Sequence, residues 1–296
     1  MYGAVGGEEL RGSPLSRLKA EIMKLRYKYN TLEDFLISRP LTVDAELDDG
    51  WGASFPVKGI ELEATVLFAD ISSFSRRTAD MSPTEILIFV NNFFAWITAE
   101  AIKDRPCIVD KYIGDEVMLL FSQEFGSEDP FVDAVQAARW MGELDALSFC
   151  PHIGIASGLV TAGYVGTPVK YNASLFGTPV TLASRCAGVR PDGYYSTTIT
   201  FPADEWKNRN LNEVYPPRTY KHPERGKVEQ PHAWKLCDPR EVDLKNIGKA
   251  TIREIANEAH WLPQMSAEER AKEWLKLIKE KGGYYRMNRD GGMSGL

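Results

Sequence analysis

Residues 64–75 read Ala-Thr-Val-Leu-Phe-Ala-Asp-Ile-Ser-Ser-Phe-Ser, an apolar run that ends in a carboxylate and continues into a loop with small hydroxyl residues. The run predicts a buried strand that ends near Asp70. A second acidic residue, Asp115, lies in residues 111–121 between two further apolar runs, which predict a hairpin. Two carboxylates brought together by neighbouring strands are suited to holding a pair of divalent metal ions for phosphoryl or nucleotidyl chemistry.

Composition limits the classes of protein that this chain can belong to. Its 296 residues, 44% of them hydrophobic, suffice for one large domain with additions or for two domains. The formal net charge of -6 excludes a global basic field, so we expect neither nucleic acid nor membrane as a partner. The four cysteines are far apart and form no C-x-x-C pair, which favours a reducing compartment. No signal peptide is evident, so we expect a cytoplasmic protein.

From residue 61 onward, strand and helix patterns alternate and predict an α+β domain. One helix start is explicit, because Ser82 is followed by Pro83 and by Glu85 at the third helical position, as in a capping box. The predicted strands cover residues 62–71, 107–112, 117–121, 152–157 and 159–165, and the predicted helices cover 86–102, 129–147 and 179–187.

The flanks of this region differ from it in pattern. We expect a Gly-rich segment over 1–13, a helix over 16–37 and an irregular linker over 39–60. The helix carries about two heptads of apolar spacing, which fits either packing on its own domain or a dimer contact. After residue 240 we expect helices over 249–260 and 267–281, and then a loose tail.

Four segments resemble, in order and spacing, the class III nucleotidyl cyclase catalytic domain. They are residues 68–75, residues 111–118, residues 153–158 with Gly163 and Gly166, and residues 176–185. The resemblance covers about residues 60–237 and implies a ferredoxin-like α+β fold. We therefore expect three parts, which are 1–59 (flexible segment, helix and linker), 60–240 (cyclase catalytic domain) and 241–296 (helical extension and loose tail).

The resemblance also implies the reaction centre. Asp70, Asp115 and the Ile71 carbonyl would hold two divalent ions, Mn²⁺ or Mg²⁺; one would activate the ribose 3′-OH and the other would neutralise the departing pyrophosphate. Arg185, supplied by the partner chain of a homodimer with shared sites, would stabilise charge on the α-phosphate. Backbone amides of the following loop would hold the β- and γ-phosphates; these belong to Ser72, Ser73, Phe74 and Ser75. A further cation follows a Gly-containing hairpin in the family, and Arg225 or Lys227 could fill that place, although a surface turn explains them equally well.

Base recognition departs from the usual family pattern. Lys111 lies where adenylate cyclases carry lysine and guanylate cyclases carry glutamate, and lysine cannot accept hydrogen bonds from guanine. Ser174 replaces the usual Asp or Thr of the second specifier, and Thr181 replaces an asparagine that orients the ribose. Uracil presents acceptor, donor and acceptor along its edge, which a lysine and a serine hydroxyl can read; cytosine is also compatible, and ATP is not excluded.

These departures resemble the pyrimidine cyclases of bacterial anti-phage (Pycsar) systems. That resemblance implies a uridylate cyclase that converts UTP to 3′,5′-cyclic UMP, a messenger for a separate effector protein in anti-phage defence. The alternatives are a cytidylate or adenylate cyclase of the same class, or a degenerate homologue that only binds nucleotide. Residues 113–117 also resemble the turn of diguanylate cyclases, but that family lacks the loop after Asp70 and the helix that bears Arg185.

Overall fold

The computed structural model describes most of the chain from residue 28 onward. The described residues are 28–29, 31–48, 54–102, 105–143, 145, 148–167, 170–191, 197–222, 226–230, 232–258, 266–281, 285–287 and 293–295. The Gly-rich segment 1–13 and most of the predicted helix 16–37 lie outside these residues. The described residues 28, 29 and 31 are not helical, so the prediction of one continuous helix over 16–37 is wrong there. A separate six-residue helix, α1 (Leu32–Ile37), begins after them, and a capping box between Thr31 and Asp34 closes its N-terminus.

A ten-stranded sheet forms the centre of the molecule. Its strands are β1 (Val43–Asp48), β2 (Ser54–Asp70), β3 (Cys107–Ile113), β4 (Glu116–Phe121), β5 (His152–Thr167), β6 (Lys170–Phe176), β7 (Thr198–Pro202), β10 (Trp234–Leu236), β11 (Arg240–Leu244) and β12 (Gly248–Asn257). Seven of them lie side by side in the spatial order β10, β12, β7, β5, β2, β4 and β3, and the other three pair at the margins, β1 with β2, β6 with β5 and β11 with β12. Two hairpins lie apart from it, β8 (Arg218–His222) with β9 (Gly226–Gln230) and β13 (Tyr285–Met287) with β14 (Met293–Gly295).

Helices cover both faces of this sheet, as the predicted α+β class requires. After α1, the helices are α2 (Phe74–Arg77), α3 (Pro83–Trp96), α4 (Pro130–Glu143), α5 (Thr178–Ala187), α6 (Leu211–Val214) and α7 (Ala267–Lys281). One hydrophobic core lies between the sheet and α3, α4 and α7, and the other lies between the sheet and α1 and α5. Within the described residues, no helix is long and apolar enough to cross a membrane.

Three further predictions about the flanks are wrong. The linker expected over 39–60 is largely extended, because β1 pairs with the first half of β2 in a regular antiparallel ladder. The helix expected over 249–260 is β12, which is bonded to β7, β10 and β11, so tertiary pairing overrides its local helical pattern. The tail after 284 contains the β13–β14 hairpin. The main sheet therefore continues to Asn257, and α7 is the described helix that follows it.

Helix α5 lies unusually close to the sheet at Gly154 of β5. A Cβ atom at this position would be 2.0 Å from the carbonyl oxygen of Ala183 and 2.2 Å from the amide nitrogen of Ala187. Real side chains do not tolerate such contacts, so the helix can keep its place only over a glycine. The glycine thereby sets the height of α5 above the strand.

We expect Gly154→Ala to destabilise the fold by about 1–3 kcal/mol, because α5 must move away from β5 to admit the methyl group. Urea denaturation of the purified variant measures this. Gly188→Ala is the matched control, since a Cβ there would meet its nearest atom at an ordinary 3.6 Å. Equal stability of the two variants would contradict the close approach of α5.

Candidate active site

The two acidic residues singled out in the sequence meet at one end of the sheet. Asp70 is the last residue of β2, and Asp115 lies in the two-residue turn between β3 and β4. Because β2 and β4 are antiparallel with Asp70 opposite Glu116, the turn residue before Glu116 lies beside the end of β2. The two carboxyl groups are within hydrogen-bond distance of each other.

This proximity changes the acidity of Asp70. Burial, the hydrogen bond with Asp115 and the charges of Asp115 and Glu116 together raise its pKa to about 8, while the Ile71 amide acts in the opposite direction. The pKa of Glu116 is also raised, mainly by burial and then by Asp115, although the Arg185 charge opposes this. In the absence of a cation, the pair therefore retains a proton near neutral pH.

The residues present fit a divalent ion of the Mg²⁺ or Mn²⁺ type. Carboxylate and carbonyl oxygens are the hard ligands that such ions prefer, and two carboxyl groups forced together are stabilised when a cation replaces their shared proton. Within the described part of the chain, no group of three or more His, Cys, Asp or Glu side chains is arranged around a metal position. A site here would therefore depend on Asp70 and Asp115, completed by oxygens such as the Ile71 carbonyl.

The loop that follows Asp70, residues 71–75, is here called the phosphate loop. Ile71 is buried and Phe74 packs against the core, which fixes both ends of the loop, while Ser73 and Ser75 are exposed. Ser73 adopts the left-handed conformation with φ 55° and immediately precedes α2. Among the described backbone hydrogen bonds of turns, loops and caps, none is donated by the amides of residues 72–75. These amides are therefore available to oxygen atoms of a bound anion.

The two residues expected to read the base lie in direct contact. The ammonium group of Lys111 on β3 donates a hydrogen bond of 2.9 Å to the hydroxyl of Ser174 on β6. Lys111 also forms an ion pair of 3.2 Å with Asp110, whose side chain is 1% exposed. Burial raises the pKa of Asp110, and Lys111 acts against this rise. Asp110 thus holds the ammonium group from the buried side.

Asp110 is a site residue that sequence reasoning missed. Neighbouring residues of a strand normally point to opposite faces of a sheet. The β3–β4 ladder, however, shifts register between Val109 and Lys111, so Asp110 is the extra residue of a β-bulge. The bulge places Asp110 and Lys111 on the same face. No feature of the sequence marks this bulge, and only the strand pairing reveals it.

Helix α5 presents Thr181 and Arg185 one turn apart on one side. Thr181 is exposed, whereas Arg185 is partly buried, and its Nε atom has no hydrogen-bond partner among the described residues. Arg185 also lines a cavity of about 450 Å³ with Arg190, Arg240 and Lys245. Asp243 also lines this cavity and Arg240 forms an ion pair with Glu254 at 2.9 Å, so the positive charge that faces an anionic ligand comes mainly from Arg185, Arg190 and Lys245.

Lys245 lines the same cavity as Arg185. The sequence analysis did not predict this. Lys245 follows β11 in a turn that Gly248 closes with φ 94°. Arg225 lies outside the described residues, so its predicted role stays a prediction. Lys227 is exposed on β9, in a hairpin separate from the main sheet. The β11–β12 hairpin, like the β8–β9 hairpin, contains a glycine at positive φ, so the predicted pattern of a cation beside a glycine-containing hairpin fits either of them.

Comparison with known proteins identifies the segment that carries these residues. Residues 59–193 match the family model described as the adenylate and guanylate cyclase catalytic domain. This segment, somewhat less than half of the chain, is therefore similar to class III cyclase catalytic domains. Over 190 residues the chain is 27% identical to an adenylate cyclase of Anabaena cylindrica, and over 130 residues it is 32% identical to a terminal-differentiation-specific adenylate cyclase of Dictyostelium discoideum. These matches span 58% and 41% of this chain but only 36% and 6% of the two relatives.

Solved structures of cyclases share the fold. The adenylyl cyclase CyaB from P. aeruginosa superposes with a TM-score of 0.51 over 69% of this chain and 99% of its own, at 17% sequence identity. A bacterial light-regulated adenylyl cyclase has a TM-score of 0.50 and 21% identity, and the match covers 91% of this chain and 71% of its own. The predicted α+β cyclase fold is thereby confirmed.

We expect the stability advantage of Asp70→Asn over the parent protein to grow as the pH rises from 5 to 8. The raised pKa means that the folded protein keeps a proton that the unfolded chain releases above about pH 4, so the parent loses stability across this range. After allowance for partial solvent screening, the gain at pH 8 is about 1 kcal/mol.

Urea denaturation in the presence of a chelator measures this difference. Asp204→Asn, at an exposed carboxylate on another element, is the control and should give the same difference from the parent at both pH values. A pH-independent effect of Asp70→Asn would show that the two carboxyl groups do not share a proton.

Proposed function

We propose that this protein is a nucleotidyl cyclase that converts UTP to 3′,5′-cyclic UMP and diphosphate. The observation that carries the proposal is the convergence of Asp70 and Asp115 at the start of a loop with available amides. Neither acid has a structural partner of opposite charge among the contacts described above. A carboxyl group such as that of Asp70, whose pKa is raised by burial and by a neighbouring carboxyl group, is typical of a reaction centre.

Each element of the site has a distinct task in this proposal. Asp70, Asp115 and the Ile71 carbonyl would hold two divalent ions, which supply Lewis-acid activation of the 3′-OH and neutralisation of the departing diphosphate. The amides of the phosphate loop bind the β- and γ-phosphates. Arg185 donates to the α-phosphate through its planar guanidinium group, and Lys245 adds a second cation near it.

The contacts of Lys111 support the preference for a pyrimidine. One of its three N–H donors is used by Ser174, and the ammonium group forms an ion pair with Asp110 without a hydrogen bond to it. Donors therefore remain for an acceptor such as a carbonyl oxygen of uracil. The Ser174 hydroxyl keeps both a donor and an unused lone pair, so it can accept from uracil N3–H.

ATP is the second candidate substrate. Two of the curated relatives that the chain matches are described as adenylate cyclases, and Lys111 is also the residue type expected in that group. The 6-amino group of adenine requires an acceptor, and in this site only the Ser174 hydroxyl would supply one. Asp110 is too deeply buried to reach the base directly. A comparison of substrates separates the two candidates.

In assays with each of the four nucleoside triphosphates and Mn²⁺ or Mg²⁺, we expect UTP to be converted with the highest kcat/KM. Chromatography of the products measures the preference. Asp70→Ala and Asp115→Ala should each reduce turnover to below about 1% while the protein remains folded, because either change removes a metal ligand. Exclusive conversion of ATP would assign the protein to the adenylate group, and near-normal turnover of either variant would refute the metal site.

We further propose a homodimer with sites shared between the two chains. Apolar side chains of β5, of β6 and of the end of β3 are exposed in the single chain, which indicates a surface that a second copy can cover. They are Tyr112, Ile113, Leu159, Val165, Tyr171 and Phe176.

Mixing the inactive variants Asp70→Ala and Arg185→Ala should restore about a quarter of the parent activity. Half of the randomly formed dimers are mixed, and each mixed dimer has one intact site of two. A mixture of Asp70→Ala with Asp115→Ala is the matched control and should stay inactive, because both residues come from the same chain of a given site. Equal activity of the two mixtures would refute the shared site.

The cellular part of the proposal is that cyclic UMP activates a separate effector in anti-phage defence. Its support is the resemblance to pyrimidine cyclases at Lys111, Ser174 and Thr181. Cyclic UMP should rise in cells that carry the active protein after phage infection, and it should not rise with Asp70→Ala. A cyclic UMP level that infection leaves unchanged would separate the enzyme from defence.

A further inference from the structure

Two consecutive arginines end the short helix α2, and they have opposite environments. Arg76 is exposed, whereas Arg77 is 2% exposed and is among the largest fully buried side chains of the described structure. Burying a guanidinium group is costly unless its N–H groups are bonded. The bonds that Arg77 makes therefore show what holds it in place.

Arg77 connects the phosphate loop to the chain segment before β5. Its Nη2 atom donates to the hydroxyl of Ser72 at 3.1 Å, and its Nη1 atom donates to the carbonyl of Ser148 at 2.6 Å. The Ser72 hydroxyl in turn donates to the carbonyl of Phe149 at 3.3 Å. Ser72 is thus held on two sides, and its backbone amide lies between Asp70 and the exposed part of the loop.

The segment that receives these bonds is itself firmly held. The Asp145 carboxylate accepts hydrogen bonds from the amides of Phe149 at 2.8 Å and Cys150 at 2.6 Å. Ser148 and Cys150 both adopt left-handed backbone conformations, with φ 54° and 50°. Such conformations persist where surrounding bonds impose them. Asp145 therefore fixes the carbonyls to which Arg77 and Ser72 bind.

Helix α7 completes this arrangement from outside the segment that matches the cyclase family. Its Arg270 carries one of the charges that act on Asp145, together with that of Arg77. Ala271 of the same helix is buried in the core, and Glu268 forms a 2.8 Å ion pair with Arg76. Both arginines of α2 are therefore held in place. Arg77 is held by its bonds to Ser72 and Ser148, and Arg76 is held by its ion pair with Glu268 of α7.

We infer that Arg77 is a positioning residue that sets the backbone of the phosphate loop through Ser72, so that the loop amides are already oriented for a triphosphate. The inference rests on the proposed function, because it assigns the loop to phosphate binding. Arg77 itself is too deeply buried to touch the substrate. Its effect reaches the ligand only through the conformation of residues 71–75, which distinguishes it from Arg185.

The test uses the full-length chain and two measurements. Hydrogen exchange of the peptide that covers residues 71–75 reports the order of the loop, and calorimetry with inorganic tripolyphosphate and Mg²⁺ reports anion binding. We expect Arg77→Met to speed exchange in this peptide and to raise the Kd about tenfold. Ser72→Ala keeps every amide and should cause part of the same loss.

Arg139→Met is the matched control, since Arg139 is also buried (8% exposed) and bonds Glu143 rather than the loop. It should change neither loop exchange nor tripolyphosphate affinity. The double variant Arg77→Met/Ser72→Ala should lose less affinity than the sum of the two single losses, because either change alone already removes the bond between Arg77 and Ser72.

Normal loop exchange and normal affinity in Arg77→Met would overturn the inference. If Arg77→Met does not fold, Ser72→Ala alone decides in the same way. A third outcome separates the inference from the proposed function. If Arg77→Met speeds exchange in the loop but the parent protein does not bind tripolyphosphate, the positioning of the loop by Arg77 is supported and the proposed function is refuted.

Discussion

The repulsion between two carboxylates determines the character of this site. The antiparallel pairing of β2 with β4 forces Asp70 and Asp115 together in partly buried surroundings, where burial and the Asp115 carboxyl group raise the pKa of Asp70. Removing this contact would stabilise the folded chain, so the surrounding sheet must be stable enough to hold it. The long β2 and β5 strands, paired over thirteen residue positions, supply that stability. The cost of keeping the pair together is recovered when a cation binds between them.

Much of the central fold could be predicted because its signals are local. The strand that ends at Asp70, the capped helix at Ser82 and the hairpin around Asp115 follow from apolar runs and turn residues, and the structure contains all three. Residues 249–260 were mispredicted because their pattern is weak. Their strand conformation depends on three partner strands that lie far away in the sequence. Local pattern does not identify such partners.

In the site too, residues within local sequence motifs could be predicted, and residues placed by contacts between distant segments could not. Asp70, the phosphate loop, Lys111 and Arg185 lie within ordered motifs, so Asp70 and the loop stood out by residue type, and the resemblance to the class III cyclase domain selected Lys111 and Arg185. Asp110 becomes visible only through the bulge that changes the face on which it lies, and Lys245 only through the packing of β11 and β12 near α5. The role of Arg77 is harder still to predict from the sequence, because its neighbour Arg76 is an exposed arginine of the same residue type. The distinction between the two depends on burial alone.

The close approach of α5 to Gly154 has a consequence for how the candidate site can change. Thr181 and Arg185 lie on a helix whose distance from β5 is limited by the absence of a side chain at Gly154, so the positions of both side chains depend on a buried residue outside the site. A variant that lifts the helix slightly would displace the guanidinium group of Arg185 relative to the rest of the site. Variation at such a buried contact can therefore change the geometry of the site while every one of its own residues stays the same.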